Sequence, residues 1–332
     1  MISAGFVVQK LNCCDMTTIY VRFTMGERRE FHLREKTRRH RQLEILDRRY
    51  ELSAFEKEEL QKLEAGYEGE LIFDGILEGF IHGTNIVHMK DYNFYPEAVD
   101  ARLLTRPEAE AGHVQIDNVV IAKDYLYTFE IKNYSFDLHH RDSHWFFDNG
   151  GEFADPLAQV VKQRNMMGKL LDGVEGRIRM FNLLVFINKD QTIFNLPASN
   201  EIIVRSNLRK KLVKAMTVNH HDHSRLVGNL EARRVTVLKY QGDTTVDFRD
   251  IRKGVFCAAC GERLVRVNRY KFLCSGCRTP LPVLEVLEQL IVELQILNSS
   301  WTVTPALIQK YSNDEISEYC VRNNKKRGLL DY

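Results

Sequence analysis

The chain has 332 residues, 44% of them hydrophobic and 28% charged, with a formal net charge of +2. That is long enough for one to three domains with sizeable cores, and the composition is that of a globular protein, not a disordered or fibrous one. The near-neutral balance does not announce a nucleic-acid binder, and no apolar run approaches the roughly 18 residues of a membrane span.

The opening stretch lacks a basic segment followed by a long apolar one, so no signal peptide is expected. Seven cysteines in such a chain favour thiols and metal over a disulfide framework, which suggests a cytoplasmic protein. Residues 1–33 alternate weakly and suggest short strands, and the adjacent Cys13-Cys14 read as ordinary thiols. Residues 34–65 read as helix. Arg28 to Arg49 carries nine Lys/Arg, which suits either phosphate contacts or a solvated face with intrahelical ion pairs. Ser53-Ala-Phe-Glu56 is a capping box, so the helix should break near Leu52-Ser53 and restart near 54. Gly66 and Gly69 should interrupt it again, before Glu68 to Phe80 resumes a helical apolar pattern.

A first strand is expected over 84–96 and a polar connection over 98–112. The densest signal follows at Asp117–Asn133, where two β-rich runs flank a turn at Lys123-Asp124. Pairing symmetric about that turn puts Asp117 opposite Glu130, with Cβ atoms about 4.5–5.5 Å apart on one face. Lys132, two residues on from Glu130, shares that face. Two such carboxylates repel unless a cation lies between them, and Mg²⁺ accepts one or two carboxylates plus waters and phosphate oxygens. A neighbouring lysine can position or deprotonate a water, or steady charge building on a phosphate. The same residues also fit an edge hairpin with a solvated charged face.

Beyond the hairpin, 133–153 reads as a polar, aromatic turn or second hairpin, with His139, His140 and His144 as loop histidines. Asp155-Pro156 should start a helix running to about Leu171, with Gln159 and Gln163 on one face. Phe181 to Ile187 reads as a strand buried on both faces, and 201–205 as a further strand. Ser206 should cap a basic helix over 207–216, His220, His221 and His223 should lie in a loop, and Arg234 to Tyr240 should form a closing strand.

Cys257-x2-Cys260 and Cys274-x2-Cys277, thirteen residues apart, are two metal knuckles joined by a short hairpin and fit a closed, structural Zn²⁺ site. Seven Lys/Arg against Glu262 over 251–280, interleaved with Phe256, Tyr270 and Phe272, suit a nucleic-acid surface or a protein-docking module. An amphipathic helix follows over 281–297. Thr304 and Ser312 should cap two short helices through Val321, a helix-turn-helix-like or docking unit with a basic end at 323–327.

Four pieces in order carry a resemblance: Gly66-Tyr-Glu-Gly-Glu70, Gln115-Ile-Asp-Asn-Val-Val120, Phe129-Glu-Ile-Lys132 and Asp155-Pro-Leu-Ala-Gln159. Over roughly residues 60–190 the chain resembles the nuclease-related domain family of the PD-(D/E)xK nuclease superfamily. The resemblance implies an α/β fold, a restriction-endonuclease-like mixed sheet flanked by helices, beside the zinc-ribbon-like module and the C-terminal helical unit. It implies a Mg²⁺- or Mn²⁺-dependent nuclease acting on nucleic acid, with DNA the expected substrate. Asp117 and Glu130 would be metal ligands and Lys132 the activating lysine. Glu70, with Glu68 as fallback, would be a further acid, and Gln159 would hold water or phosphate. The expected segments are 1–65, 66–245, 251–280 and 281–332. Oligomeric state stays open, a homodimer included, and a non-catalytic DNA-binding or adaptor role is the alternative.

Overall fold

The computed structural model describes residues 34–95, 114–172, 178–216, 222–235 and 247–332, together with the short paired strands β1 (Thr18–Tyr20) and β2 (Glu30–His32). Cys13-Cys14, the 98–112 connection, His220, His221 and most of the expected strand at 234–240 lie outside the described residues. The chain divides into two compact units, one of residues 1–63 with 240–332 and one of residues 64–239. No helix among the described residues is long and apolar enough to cross a membrane.

The first unit joins segments from both ends of the chain. Helix α1 (Arg38–Arg49) is capped by Thr37, whose hydroxyl accepts from the His40 N–H, and it buries Leu43, Ile45 and Leu46. Those residues share one core with helix α6 (Val283–Leu297), with α7 (Pro305–Tyr311) and α8 (Glu318–Lys326), and with Cys257, Leu264, Phe272 and Cys274 of the cysteine module. The basic face expected on α1 is largely turned to internal partners. Arg49 is fully buried and its Nε donates to Glu293 Oε2 at 2.9 Å, while Arg39 pairs with Glu59 and Arg38 donates to Ile296 O. Thr304 caps α7 as expected. The second cap is Ser317 and not Ser312, which ends α7; α8 runs on to Lys326, so the basic 323–327 stretch is its last turn.

The capping box forms. Ser53 N–H donates to Glu56 Oε2 and Glu56 N–H donates to Ser53 Oγ. From there α2 runs unbroken over Ala54–Ile81, through both glycines expected to interrupt it. Gly66 faces open space, where it costs the helix little beyond propensity. Gly69 has a different role, described below.

The second unit is built on a five-stranded mixed sheet, order β11-β9-β5-β4-β3. Its strands are β3 (Val87–Phe94), β4 (Val114–Ala122), β5 (Tyr125–Lys132), β9 (Arg179–Phe186) and β11 (Ile202–Val204). β3, β4 and β5 are antiparallel neighbours, and β9 and β11 run parallel to β5. One face packs Phe129, Ile131 and Val120 against Phe73 and Leu77 of α2 and against Leu208 and Leu212 of α4 (Arg205–Ala215). The other packs Leu126, Val119 and Ile116 against Met167 and Leu170 of α3 (Leu157–Leu171) and Leu230 of α5 (Ser224–Glu231). Asp155 starts α3, its Oδ1 accepting from the Leu157 N–H.

Between β5 and α3 the chain inserts three short strands, β6 (Leu138–Arg141), β7 (His144–Phe147) and β8 (Glu152–Phe153), and β10 (Ile193–Phe194), which follows β9, completes a smaller sheet of order β10-β6-β7-β8. The 133–153 segment is therefore a sheet, not one hairpin, and His139, His140 and His144 lie on strands. Two further expectations are corrected. The start of β9 is not buried on both faces: Phe181 is 45% exposed, and it stacks with Tyr127 at 5.4 Å. Helix α4 starts directly from β11 with no side-chain cap, so Ser206 lies inside the helix.

The cysteine module folds as the short hairpin expected, β12 (Leu264–Arg266) with β13 (Lys271–Cys274), extended by β14 (Pro280–Pro282).

Candidate active site and metal centre

The β4–β5 hairpin has the register read from its symmetry. Lys123 takes up a left-handed φ of 57° in the turn, and Ala122 pairs with Tyr125 in a ladder that runs to Asn118 opposite Phe129. The next step would be Asp117 opposite Glu130, and there the ladder ends. The Ile131 N–H donates instead to Asp117 Oδ2 at 2.8 Å, so a side chain replaces the backbone carbonyl. β3 and β4 break step at the same place. Their pairing omits Asp91 and Asp117, and Asp91 has a φ of 46°. Alternation shifts by one residue there, so Met89 and Tyr92, like Val119 and Ile116, all face the α3 core. Asp117 thus sits at a local twist where β4 and β5 part.

Helix α3 fills the opening with amides. Gln163 Nε2 donates both to Gln115 O, at 2.8 Å, and to Glu130 Oε2, at 2.7 Å. Lys132 Nζ donates to Glu130 Oε1 at 2.7 Å and to Gln159 Oε1 at 2.8 Å. Glu130 and Asp117 are buried, and the Lys132 side chain keeps 19% of its exposure. Burial works against the Lys132 charge. The Glu130 carboxylate beside it, by attraction and hydrogen bond, with Tyr134 and Asp117 adding to the field, outweighs burial and holds the ammonium above the ordinary lysine range. Lys132 is therefore a charged donor to Glu130 and Gln159 in this arrangement. Tyr134 belongs to the same cluster: burial raises its phenol, Lys132 lowers it and Glu130 raises it.

Glu70 stands on a different element. It lies on α2, half-buried, while Glu68 is exposed. A Cβ on Gly69 would meet Asn133 Cβ at 2.5 Å and Ile187 Cγ2 at 3.1 Å, so the missing side chain lets α2 press against the end of β5. Asn133 Nδ2 secures the contact by donating to Ala65 O at 2.8 Å. Glu130, Lys132 and Gln159 are thus joined by direct hydrogen bonds, with Asp117 beside them. Glu70, Asp117 and Glu130 do not bring their carboxylate oxygens into one tight trio. Two carboxylates still fit a hard cation that keeps waters in its shell. Sequence reading missed Gln163 as a partner of Glu130, and it missed Asn133 and Tyr134. Only Gln163 had a visible signal, its position one turn after Gln159.

In the first unit the thiols of Cys257, Cys260, Cys274 and Cys277 lie within 4.8 Å of one another. Cys257 Sγ is 3.8 Å from Cys277 Sγ and Cys260 Sγ is 3.3 Å from Cys274 Sγ. Four sulfurs about 2.3 Å from one tetrahedral ion would stand about 3.8 Å apart, so the quartet can hold a metal with little movement. Hydrogen bonds from the Thr279 hydroxyl and backbone draw the Cys277 thiol down to about 6, towards the thiolate a metal needs. The basic residues around the quartet are partly spent inside the unit. Arg263 pairs with Glu315, Arg266 donates to Glu315 O, and Arg252 lies over Phe256. At the hairpin tip Arg269 lies over Tyr270, which is 65% exposed, beside exposed Lys271.

Comparison with curated proteins finds no match, and comparison with solved structures finds none. Residues 65–187 match the family model of the nuclease-related domain, a span that holds Glu70, the parted strands with Asp117, Glu130 and Lys132, and Gln159. Residues 65–187 thus match the nuclease-related domain, and a cysteine module able to hold a metal ion follows that stretch.

Proposed function

We propose that the chain is a divalent-metal-dependent nuclease that hydrolyses phosphodiester bonds in DNA. The observation that carries this reading is Lys132, a cation held between Glu130 and Gln159 beside Asp117, inside the matched domain. Asp117 and Glu130 are the proposed ligands of Mg²⁺ or Mn²⁺, which when bound would supply an activated water and charge neutralisation. Lys132 would donate to a phosphate oxygen and steady its developing charge, a role that its raised pKa favours over proton abstraction. Gln159 would hold that ammonium in place, and Glu70, next to Gly69 on α2, would act as a further acid.

The cysteine quartet would hold Zn²⁺ as a structural ion, and reduced thiols fit a cytoplasmic setting. The hairpin tip with Arg269, Tyr270 and Lys271 would assist nucleic-acid binding.

One observation favours a second reading, a DNA-binding scaffold without turnover: both Glu130 oxygens already accept hydrogen bonds, from Lys132 and Gln163. Cleavage of plasmid and linear DNA by the pure protein in Mg²⁺, Mn²⁺ or EDTA decides between them, with the double variant Asp117→Ala, Glu130→Ala alongside. Metal-dependent cutting that the double variant loses supports the nuclease. Equal behaviour of the two proteins removes it and leaves salt-dependent binding as the function to pursue.

A further inference from the structure

The small inserted sheet has two unlike faces. Leu138 and Trp145 point inward and join Phe186 and Leu184 in one core. Phe186 pairs with Lys132 across β5 and β9, so this inner face rests against the strand ends that carry the candidate site. The outer face has a different composition. The register places Phe194 beside His139, His139 beside Phe146, and Phe146 beside Glu152, a single row across all four strands.

The row is already a partial stack. The Phe194 and His139 rings lie 4.6 Å apart and nearly parallel, at 12°. Phe194 is 43% exposed and lies on the edge strand, so its ring has one side on His139 and the other towards the sheet's edge. On the far side of His139, the exposed Arg141 guanidinium lies 4.8 Å over the Phe146 ring. Asp148 fixes the His139 ring through a 2.9 Å contact at Nε2. With strands about 4.8 Å apart the rings stand too close for a base to enter between them, so the side open to a base is the outward one of Phe194, at the end of the row.

A core does not need this row, because the inner face of the same sheet already supplies one. A purely electrostatic surface does not account for it either, since Asp148 and Glu152 flank Arg141 and the histidines. Rings held on edge by a sheet, with one guanidinium and little net charge, suit flat bases more than a phosphate track. Duplex bases are stacked on each other and hide their faces, whereas single-stranded bases expose theirs.

We propose that the outer face of β10-β6-β7-β8 binds single-stranded nucleic acid by stacking a base on Phe194, whose ring is backed by His139. Resting on the reading of the neighbouring cleft as a nuclease site, this sheet would hold the unpaired strand leading to Lys132, and the substrate would be single-stranded or carry a single-stranded end.

The test is binding of the full chain with no Mg²⁺ or Mn²⁺ added, where no cutting that depends on them occurs and no chelator strips the cysteine quartet. Fluorescence anisotropy compares a labelled oligothymidylate, an oligouridylate and a duplex of equal length. Phe194→Leu keeps an apolar side chain without a π face; Phe194→Tyr keeps the ring. Loss of one stacked base should weaken single-strand binding roughly 5- to 150-fold in Phe194→Leu, with Phe194→Tyr close to wild type and duplex binding unchanged. The ratio between wild type and Phe194→Leu should hold between low and high salt, because stacking releases no counterions. An equal loss for both oligomers assigns the site to single strands of either sugar, and a loss for one alone assigns it to that sugar. Single-strand affinity unchanged in Phe194→Leu, or no single-strand binding by wild type, overturns the proposal even if the protein cuts duplex DNA. Stacking that depends on Phe194 in a protein that cuts nothing upholds it and removes only the nuclease reading.

Discussion

Glu293→Gln should destabilise the first unit far more than its conservative chemistry suggests. Arg49 has no exposed side-chain surface and Glu293 keeps 3%. The guanidinium lies 3.9 Å over the Tyr311 ring and donates to Arg252 O and Gly254 O at 3.1 Å each, so it cannot turn out to water when its counter-ion goes. Tyr311 Oη and Gln289 Nε2 also donate to the lost carboxylate. Breaking one side of a buried pair costs about 3–5 kcal/mol. At a urea dependence of about 2 kcal/mol per molar, the midpoint should fall by roughly 1.5–2.5 M. Trp301 lies in this unit and Trp145 in the other, so fluorescence in a Trp145→Phe background follows the correct transition. Replacing both partners, Arg49→Met with Glu293→Leu, should cost much less than the two single changes added. Burial opposes the Glu293 charge, but Arg49 and Arg48 outweigh it and hold the carboxyl below the ordinary range. The folded pKa is lower than the unfolded one, so the pair's contribution is present above about pH 4.3 and is lost as pH falls through the lowered value. Glu293→Gln should lack that acid-side loss. A midpoint within about 0.3 M of wild type, with the same acid limb, would refute the reasoning.

Three further outcomes follow from single contacts. Gly69→Ala should cost about 1–3 kcal/mol by thermal or urea denaturation, because its methyl must displace Asn133 and Ile187 at the end of β5; Gly66→Ala, with open space, should be neutral or stabilising. Purified protein should contain one zinc per chain by elemental analysis, and Cys274→Ser should lose it and unfold the first unit at lower urea. If the chain cuts DNA, its rate should not rise through a lysine deprotonation between pH 7 and 9, because Lys132 is held charged there; a basic limb that Lys132→Arg abolishes would show a neutral amine at work.

The register of the β4–β5 hairpin was legible in the sequence because the hairpin is local. A two-residue turn and period-two alternation fix which side chains of β4 and β5 meet, and the ladder agrees as far as Asn118 and Phe129. What failed needed contacts from afar. Gly66 and Gly69 look like breaks when helix propensity is read alone, yet α2 is held straight through them by packing on the sheet. The twist at Asp91 and Asp117 leaves no mark on the residue pattern, since both strands shift together. The basic run of α1 looked solvated because Glu293, its main partner, is 244 residues away. Ser312, expected as a cap, instead accepts from the Ile316 N–H at the end of α7, and Ser317 caps α8.

The split make-up of the first unit also orders events during synthesis. Helix α1 leaves the ribosome early, but its apolar face and Arg49 have no home until α6 follows, 244 residues later at Glu293. At about 5–20 residues per second that interval is roughly 12–50 s. Residues 64–239, which include the stretch that matches the nuclease-related domain, are made whole within it. The nascent chain therefore holds a finished catalytic candidate while an unpaired amphipathic helix trails from its amino end, a state in which chaperones have more to protect than in the released protein.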